Sequence, residues 1–223
     1  MDYCTDLLRG ACPEETIYFR KAINRRDVVA AVVVDASSST DAEVNGRRII
    51  DIEKESLAIL ASALSRIGDD FGVYSFYSHG RNRVFFDIVK DFTEPWNERT
   101  QGRIGSIRAQ AANRDGCAIR HAAARLSVHP HRTKLLLLLS DGVPADVDYG
   151  GASSADSSPY SIEDTRRAVH ECRRQGIVPY CITIDRAAKD YISHLYGDYH
   201  YTVIDDVAAL PERLARLYLR FTG

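Results

Sequence analysis

The sequence lacks most of the features that announce a function class. Its five cysteines (Cys4, Cys12, Cys117, Cys172 and Cys181) are scattered and none forms a C-x-x-C pair. That excludes a zinc ribbon and a thioredoxin-type redox motif, and it predicts reduced thiols in a cytoplasmic protein. Neither a Walker A loop nor a G-x-G-x-x-G fingerprint occurs, so no nucleotide cradle is encoded. The formal net charge is −2 over 223 residues, which gives no basic field to attract nucleic acid. Apolar runs such as Val28–Val34 and Leu135–Leu139 fall far short of the roughly 20 residues that a membrane-spanning helix needs, so no membrane insertion is expected. The opening MDYCTDLLRGACPEE carries early acids and no long apolar stretch, so no signal peptide is expected either.

What is present is alternation. Residues 1–26 read as a lead-in with a basic end (Arg20, Lys21, Arg25, Arg26), and 27–223 as one domain. Val28–Val34 is a continuous β-branched run, as a central parallel strand covered on both faces requires. Ile49 to Arg66 has helical periodicity, with Gly68 marking its end. Strands are predicted at 71–77 and 84–89, joined by the short turn Ser78–Asn82 and hence antiparallel. A helix from about Pro95 to Ile107 precedes one at 116–126 and a strand at 134–139. The stretch 146–160, rich in Gly, Ser and Asp, predicts an exposed, mobile loop; Ser161 then caps a helix ending at Gly176, with Asp164 three residues on. A strand (177–184), a helix (187–196), a strand (201–204) and a helix from Pro211 to about Arg220 complete the chain. This pattern predicts a Rossmann-like, doubly wound α/β fold: a mostly parallel six-stranded sheet with one antiparallel edge strand and helices on both faces. Ligands of such sheets bind at the carboxyl ends of the strands.

Those ends carry a constellation. After the first strand comes Asp35-Ala-Ser37-Ser-Ser39, and after the fourth comes Ser140-Asp141-Gly142. A carboxylate leaving a buried strand needs compensation, and two acids meeting at one switch point repel unless a cation lies between them. Hard oxygen donors of this kind suit Mg²⁺, with Mn²⁺ or Ca²⁺ as alternatives. A metal-free polar turn capped by Asp35 and the serines is the plainer alternative.

The D-x-S-x-S run together with the later S-D-G resembles the metal-ion-dependent adhesion site of von Willebrand factor A (VWA) domains, over about residues 27–222. The resemblance implies that Ser37 and Ser39 bind the metal directly and that Asp35 and Asp141 act through water. The family's third element, a threonine before the middle helix, falls on Asn113 here, and Asp115 in the same loop is a substitute ligand. The segments Asn113–His121, Leu138–Asp146, Ser161–Arg166 and Ile182–Asp185 are similar to the C-terminal VWA domain of the NorD/CbbO group. That resemblance implies a non-catalytic adaptor. It would read an acidic residue on a client protein for a MoxR-type AAA+ ATPase, the client being rubisco in the CbbO branch or nitric oxide reductase in the NorD branch. The Asn-Arg-Asp-Gly form leans towards the rubisco branch. Arg114, Arg120 and His121 are expected to line the partner surface.

An enzyme reading, a Mg²⁺-dependent phosphatase-like hydrolase, needs a second aspartate two residues after Asp35, where Ser37 stands. His129 and His131 read as a solvated loop, the arginines at 166, 167, 173 and 174 as a solvated helix face, and Asp185 as a helix cap.

Overall fold

A continuous run of β-branched residues belongs where both faces of a sheet are covered, and the run from Val28 takes that place. The computed structural model describes residues 27–149, 158–184, 188, 191–204, 206 and 209–222. The lead-in, the segment 150–157 and Asp185 lie outside the described residues. Strand β1 (Val28–Asp35) is buried along its whole length. A short hairpin follows, β2 (Glu43–Val44) and β3 (Arg47–Arg48), turned by Asn45 and Gly46, both at positive φ. Helix α1 (Ile49–Ile67) ends at Gly68, whose φ of 83° closes the last turn and lets its N–H reach Leu64 O. Then come β4 (Asp70–Ser78), β5 (Val84–Lys90), α2 (Glu98–Ser106), α3 (Asp115–Ser127), β6 (Thr133–Ser140), α4 (Pro159–Arg174), β7 (Ile177–Thr183), α5 (Ile192–Tyr196), β8 (Tyr201–Val203) and α6 (Leu210–Thr222).

The main sheet has six strands in the order β5-β4-β1-β6-β7-β8. Every pairing is parallel except the edge hairpin β4–β5. The strand order reverses between β1 and β6, where Val34 lies opposite Leu139. The expected switch point is therefore at the ends of these two strands. Alternate residues of β1 feed two cores. Val28, Ala30, Val32 and Val34 pack with α1, α2 and α6 on one face. Val29, Ala31 and Val33 pack with α3, α4 and α5 on the other. Among the described residues no helix is long and apolar enough to cross a membrane.

Several boundaries differ from the sequence reading. The cap of α4 is Ser158, whose Oγ accepts from Ser161 N–H while the Ser161 hydroxyl reaches back to Ser158 N, so Ser161 is the third residue of the helix. Pro159 at the first helical position, which needs no N–H partner, explains the earlier start. Helix α2 likewise starts at Glu98, because Asn97 and Thr100 form a reciprocal capping box. The stretch from Asp146 is not exposed at its start: Asp146 and Tyr149 are buried by contacts that reach across to β4 and α3.

Gly116, in the first turn of α3, packs against α4 so closely that a Cβ there would lie 2.4 Å from Asp164 Oδ2. That carboxylate cannot step aside freely, because Arg120 and Tyr149 both hold it. Gly116→Ala is expected to lose about 1–3 kcal/mol through overpacking. Gly102→Ala, in α2 with nothing within 4 Å of the added carbon, should gain about 0.4–1 kcal/mol by stiffening the unfolded chain. Urea unfolding of the two variants beside the wild type checks both signs.

Candidate functional site

Strand β1 delivers Asp35 to the switch point fully buried. Its Oδ1 accepts the Ser37 backbone N–H at 2.8 Å, and its Oδ2 accepts Asn113 Nδ2 at 2.7 Å. The chain then turns through a single 3₁₀ turn, Ser38–Asp41, held by Thr40 Oγ1 on Ser37 O and by Ser38 on Ala111 O. This turn places the two alternate hydroxyls together: Ser37 Oγ and Ser39 Oγ are 2.9 Å apart, and Ser39 Oγ donates to Asp141 Oδ1 at 2.9 Å. The four residues Asp35, Ser37, Ser39 and Asp141, read from two segments about a hundred positions apart, therefore form one polar cluster.

The third element is more complex. Asn113 is buried, and its two amide groups face different ways. The nitrogen donates to Asp35, while the oxygen accepts Ala145 N–H at 2.8 Å. Asn113 thus orients Asp35 and ties the loop after β6 to the loop before α3, and its carbonyl oxygen is not directed into the cluster. Asp115 is the first residue of α3, buried, with Oδ1 free of any hydrogen bond.

One residue escaped the sequence reading. Glu53 on α1 is only 2% exposed, and its Oε2 has no hydrogen-bond partner. It feels the charges of both Asp141 and Asp35. The signal was present: Glu53 lies three residues after Ile50 and four before Leu57, inside the apolar stripe of the helix, where a carboxylate is out of place.

The electrostatics follow from this crowding. Burial, then the Asp141 charge, pushes the Asp35 carboxyl up to about 7, although the hydrogen bonds from Ser37 and Asn113 pull the other way. Burial, then Asp35 and Asp141, drives Asp115 well above the usual carboxylate range. Burial, Asp141 and Asp35 do the same to Glu53. The cluster therefore gathers more negative charge than its own donors can compensate. Among the described residues no group of three or more His, Cys, Asp or Glu is placed to hold a metal ion by itself. An ion at this site would have to be shared with the serine hydroxyls and water.

Of the three residues expected at a partner surface, Arg114 is buried, Arg120 is paired within the domain and His121 is exposed. Arg114 is 5% exposed; its Nε pairs with Asp146 Oδ2 at 2.8 Å, and its guanidinium lies 4.0 Å over the Tyr149 ring. It is a wall of the site and not a surface contact. Arg120 spans from α3 to α4, paired with Asp164 at 2.8 Å and Glu171 at 2.7 Å. His121 is exposed, with its ring 4.5 Å from Phe86. It lies six residues into α3, about 9 Å along the axis from Asp115, on the flank of the domain. His131 is paired with Asp70 at 3.2 Å, and its ring is 6.1 Å from that of His129.

Asp146 builds the second wall. It is fully buried and accepts from Ser78 Oγ (2.6 Å), Gly80 N–H (2.9 Å) and Arg114 Nε (2.8 Å). Burial raises its pKa, but these donors outweigh it and hold the carboxyl below its usual value. Gly80, at φ 79°, brings its N–H to this carboxylate at the tip of the β4–β5 hairpin, and Arg81 N–H reaches Asp148 alongside it.

No protein-family model matches the chain. It is 40% identical over 208 residues to a Stutzerimonas stutzeri protein named NorD, covering 92% of this chain and 33% of that one. The Brucella melitensis NorD is 36% identical over 219 residues, covering 98% of this chain and 34% of its own. An uncharacterised Pseudomonas aeruginosa protein is 39% identical over 222 residues, covering 99% of this chain and 35% of its own. The chain spans about a third of the length of these relatives. Solved structures share the fold. A von Willebrand factor type A protein from Catenulispora acidiphila superposes with a TM-score of 0.59 at 18% identity, over 87% of this chain and 42% of its own. The vWF domain of the pilus tip protein Mfa5 from Porphyromonas gingivalis gives 0.65 at 12%, over 88% of this chain and 96% of its own.

Asp146→Ala would strand Arg114 as an unpaired buried charge, and the expected loss is about 3–5 kcal/mol by denaturant unfolding. The cluster also sets a pH dependence. Asp35 has a raised folded value, about 7 against 3.8, so its contribution to stability is full below about pH 4 and is lost as pH rises through about 7. Glu53 and Asp115 have the same sign. In EDTA the melting temperature should therefore fall between pH 5 and pH 8. Asp35→Asn should flatten that slope whatever it does to absolute stability. A wild-type profile that rises over this interval would contradict the assignment.

Proposed function

We infer that this von Willebrand factor A-like domain of the NorD type is a cation-dependent clamp on a partner protein and not a catalyst. The observation that carries the reading is the convergence of Asp35, Ser37, Ser39 and Asp141 at the β1/β6 switch point, flanked by carboxylate oxygens that no protein donor satisfies. The donor set is all oxygen, hard and partly anionic, which fits Mg²⁺, with Mn²⁺ or Ca²⁺ as substitutes. By the VWA resemblance Ser37 and Ser39 would hold the ion directly, and Asp35 and Asp141 through water. When bound, the cation supplies an open coordination position that a partner's Asp or Glu can fill.

The chain's own residues set up that position. Asn113 fixes the Asp35 carboxylate, and the Ser38–Asp41 turn brings the hydroxyls side by side. The Arg114–Asp146 pair keeps the loops after β6 and before α3 in register. A phosphatase-type reading gains nothing from the structure, because Ser37 stands where a second aspartate would be needed and its hydroxyl is engaged with Ser39. We assign the partners by resemblance: a MoxR-type AAA+ ATPase as motor, acting on nitric oxide reductase as client. Relatives named NorD, at 36–40% identity, weigh for that branch over rubisco activation, towards which the Asn-Arg-Asp-Gly segment leans.

The test is thermal unfolding of wild type and Asp35→Ala in Mg²⁺ and in EDTA, followed by retention of purified nitric oxide reductase on the immobilised domain under both conditions. At a hundredfold excess over its dissociation constant, Mg²⁺ should stabilise the wild type by about 2.7 kcal/mol and the variant not at all. Client retention should be lost on chelation. Identical melting in EDTA and in tens of millimolar Mg²⁺ would sink the metal reading. Retention indifferent to EDTA would sink the clamp.

A further inference from the structure

The two unsatisfied carboxylate oxygens of the cluster come from opposite faces of the sheet. Glu53 belongs to α1, which packs on the face formed by Val28, Ala30, Val32 and Val34. Asp115 opens α3, which packs on the face formed by Val29, Ala31 and Val33. Both stand at the switch-point end of the sheet: α1 packs against the Ser38–Asp41 turn and its first N–H donates to Ala42 O, while Asp115 lies two residues after Asn113, which donates to Asp35. A helix start accounts for an acid at Asp115 but not for one at Glu53. Asp115 sits at a helix start, where an acid is favoured. Glu53 is the fifth residue of a 19-residue helix and meets no orphan N–H there. Its neighbours on the helix face are Ile50, Ile52 and Leu57, all buried. A carboxyl in such a setting, with one oxygen unpartnered, either keeps its proton or is compensated by something outside the protein's own donors.

Among the described residues, the cations nearest to it in the chain are engaged by other acids. Lys54 and Arg48 pair with Asp51, and Arg47 with Glu55. The start of α1 is joined to the site loop, since Ile49 N–H donates to Ala42 O just after the Ser38–Asp41 turn. Glu53 thus stands one helical turn on from a residue hydrogen-bonded to the site loop.

We propose that Glu53 is an unrecognised member of the cation site: an outer carboxylate that accepts hydrogen bonds from the hydration shell of the metal and anchors it from the α1 side. This rests on the cation reading above. We place Glu53 outside the inner shell because, among the described residues, no three acidic side chains are grouped closely enough to hold an ion together. Outer-shell partners of this kind set ligand orientation and metal affinity, and their loss typically weakens binding by about 10–100-fold.

The experiment is a Mg²⁺ titration followed by thermal shift, on wild type, Glu53→Gln and Glu55→Gln. Glu55 is on the same helix, exposed and paired with Arg47, so it controls for the loss of one negative charge near the site. The apparent Mg²⁺ dissociation constant of Glu53→Gln should rise at least tenfold, while that of Glu55→Gln stays within about twofold of wild type. Should Glu53→Gln not fold, Glu53→Asp, which keeps the charge but withdraws it by one methylene, must show the same weakening. Equal Mg²⁺ affinity in wild type and the Glu53 variant overturns the proposal and leaves the clamp reading standing. A wild type that shows no Mg²⁺ shift at all overturns both.

Discussion

The structure is organised around the difficulty of ending a fully buried strand in a carboxylate. β1 is the central strand, and its last residue, Asp35, has no access to solvent. The hydrogen bonds around it offset part of that burial. The backbone after it bends so that Ser37 N–H returns to Oδ1, and the loop before α3 is held so that Asn113 can donate to Oδ2. Asn113 is held in its turn by Ala145, in the loop after β6. Three separate segments are thereby fixed to one side chain. The serines are brought beside Asp141 by the turn that follows, which holds itself through Thr40 on Ser37 O and Ser38 on Ala111 O.

A second buried carboxylate carries out the same task for the outer wall. Asp146 collects donors from β4, from the tip of the β4–β5 hairpin and from the residue capping α3. Where Asp35 is under-compensated and pushed up, Asp146 is over-compensated and held down. The contrast separates a structural acid from a site acid. Asp146 has a full-charge partner in Arg114, so its burial is settled within the protein. Asp35, Asp115 and Glu53 have only neutral donors or none, and their mutual repulsion remains.

Much of this was legible in the sequence. The sheet with its antiparallel edge follows from the alternation of patterns, and β1 beside β6 from the doubly wound fold. The positions of Asp35, Ser37, Ser39 and Asp141 follow from motifs placed at strand ends, because a strand end fixes where its next residues go. What could not be read depends on tertiary partners. Arg114 looks like a surface cation until Asp146, 32 residues later in the chain, is folded against it. Arg120 is drawn to α4 by Asp164 and Glu171, which no local pattern connects to it. Glu53 sits amid helix-forming residues, and an acid in a helix is unremarkable until the face it occupies is known. Ser158 and Ser161 are equally good caps locally, and the choice fell to the residue whose hydroxyl also reaches Tyr149 O.

The charge balance also bears on what kind of clamp this site would make. Asp35, Glu53, Asp115 and Asp141 together carry a formal charge of −4 if all are ionised, twice what a divalent cation supplies. An ion held in that surrounding keeps its coordination chemistry but presents little net positive field at the surface. A partner carboxylate would then be chosen by fit to the open position and not drawn in by long-range attraction, so its binding would be slow to steer and sensitive to geometry. It would also be readily released. On the proposed clamp reading, a modest affinity set by one coordination position would suit release better than a tight electrostatic grip. On that reading the buried acids that would retain the ion are the same ones that would keep the partner easy to release.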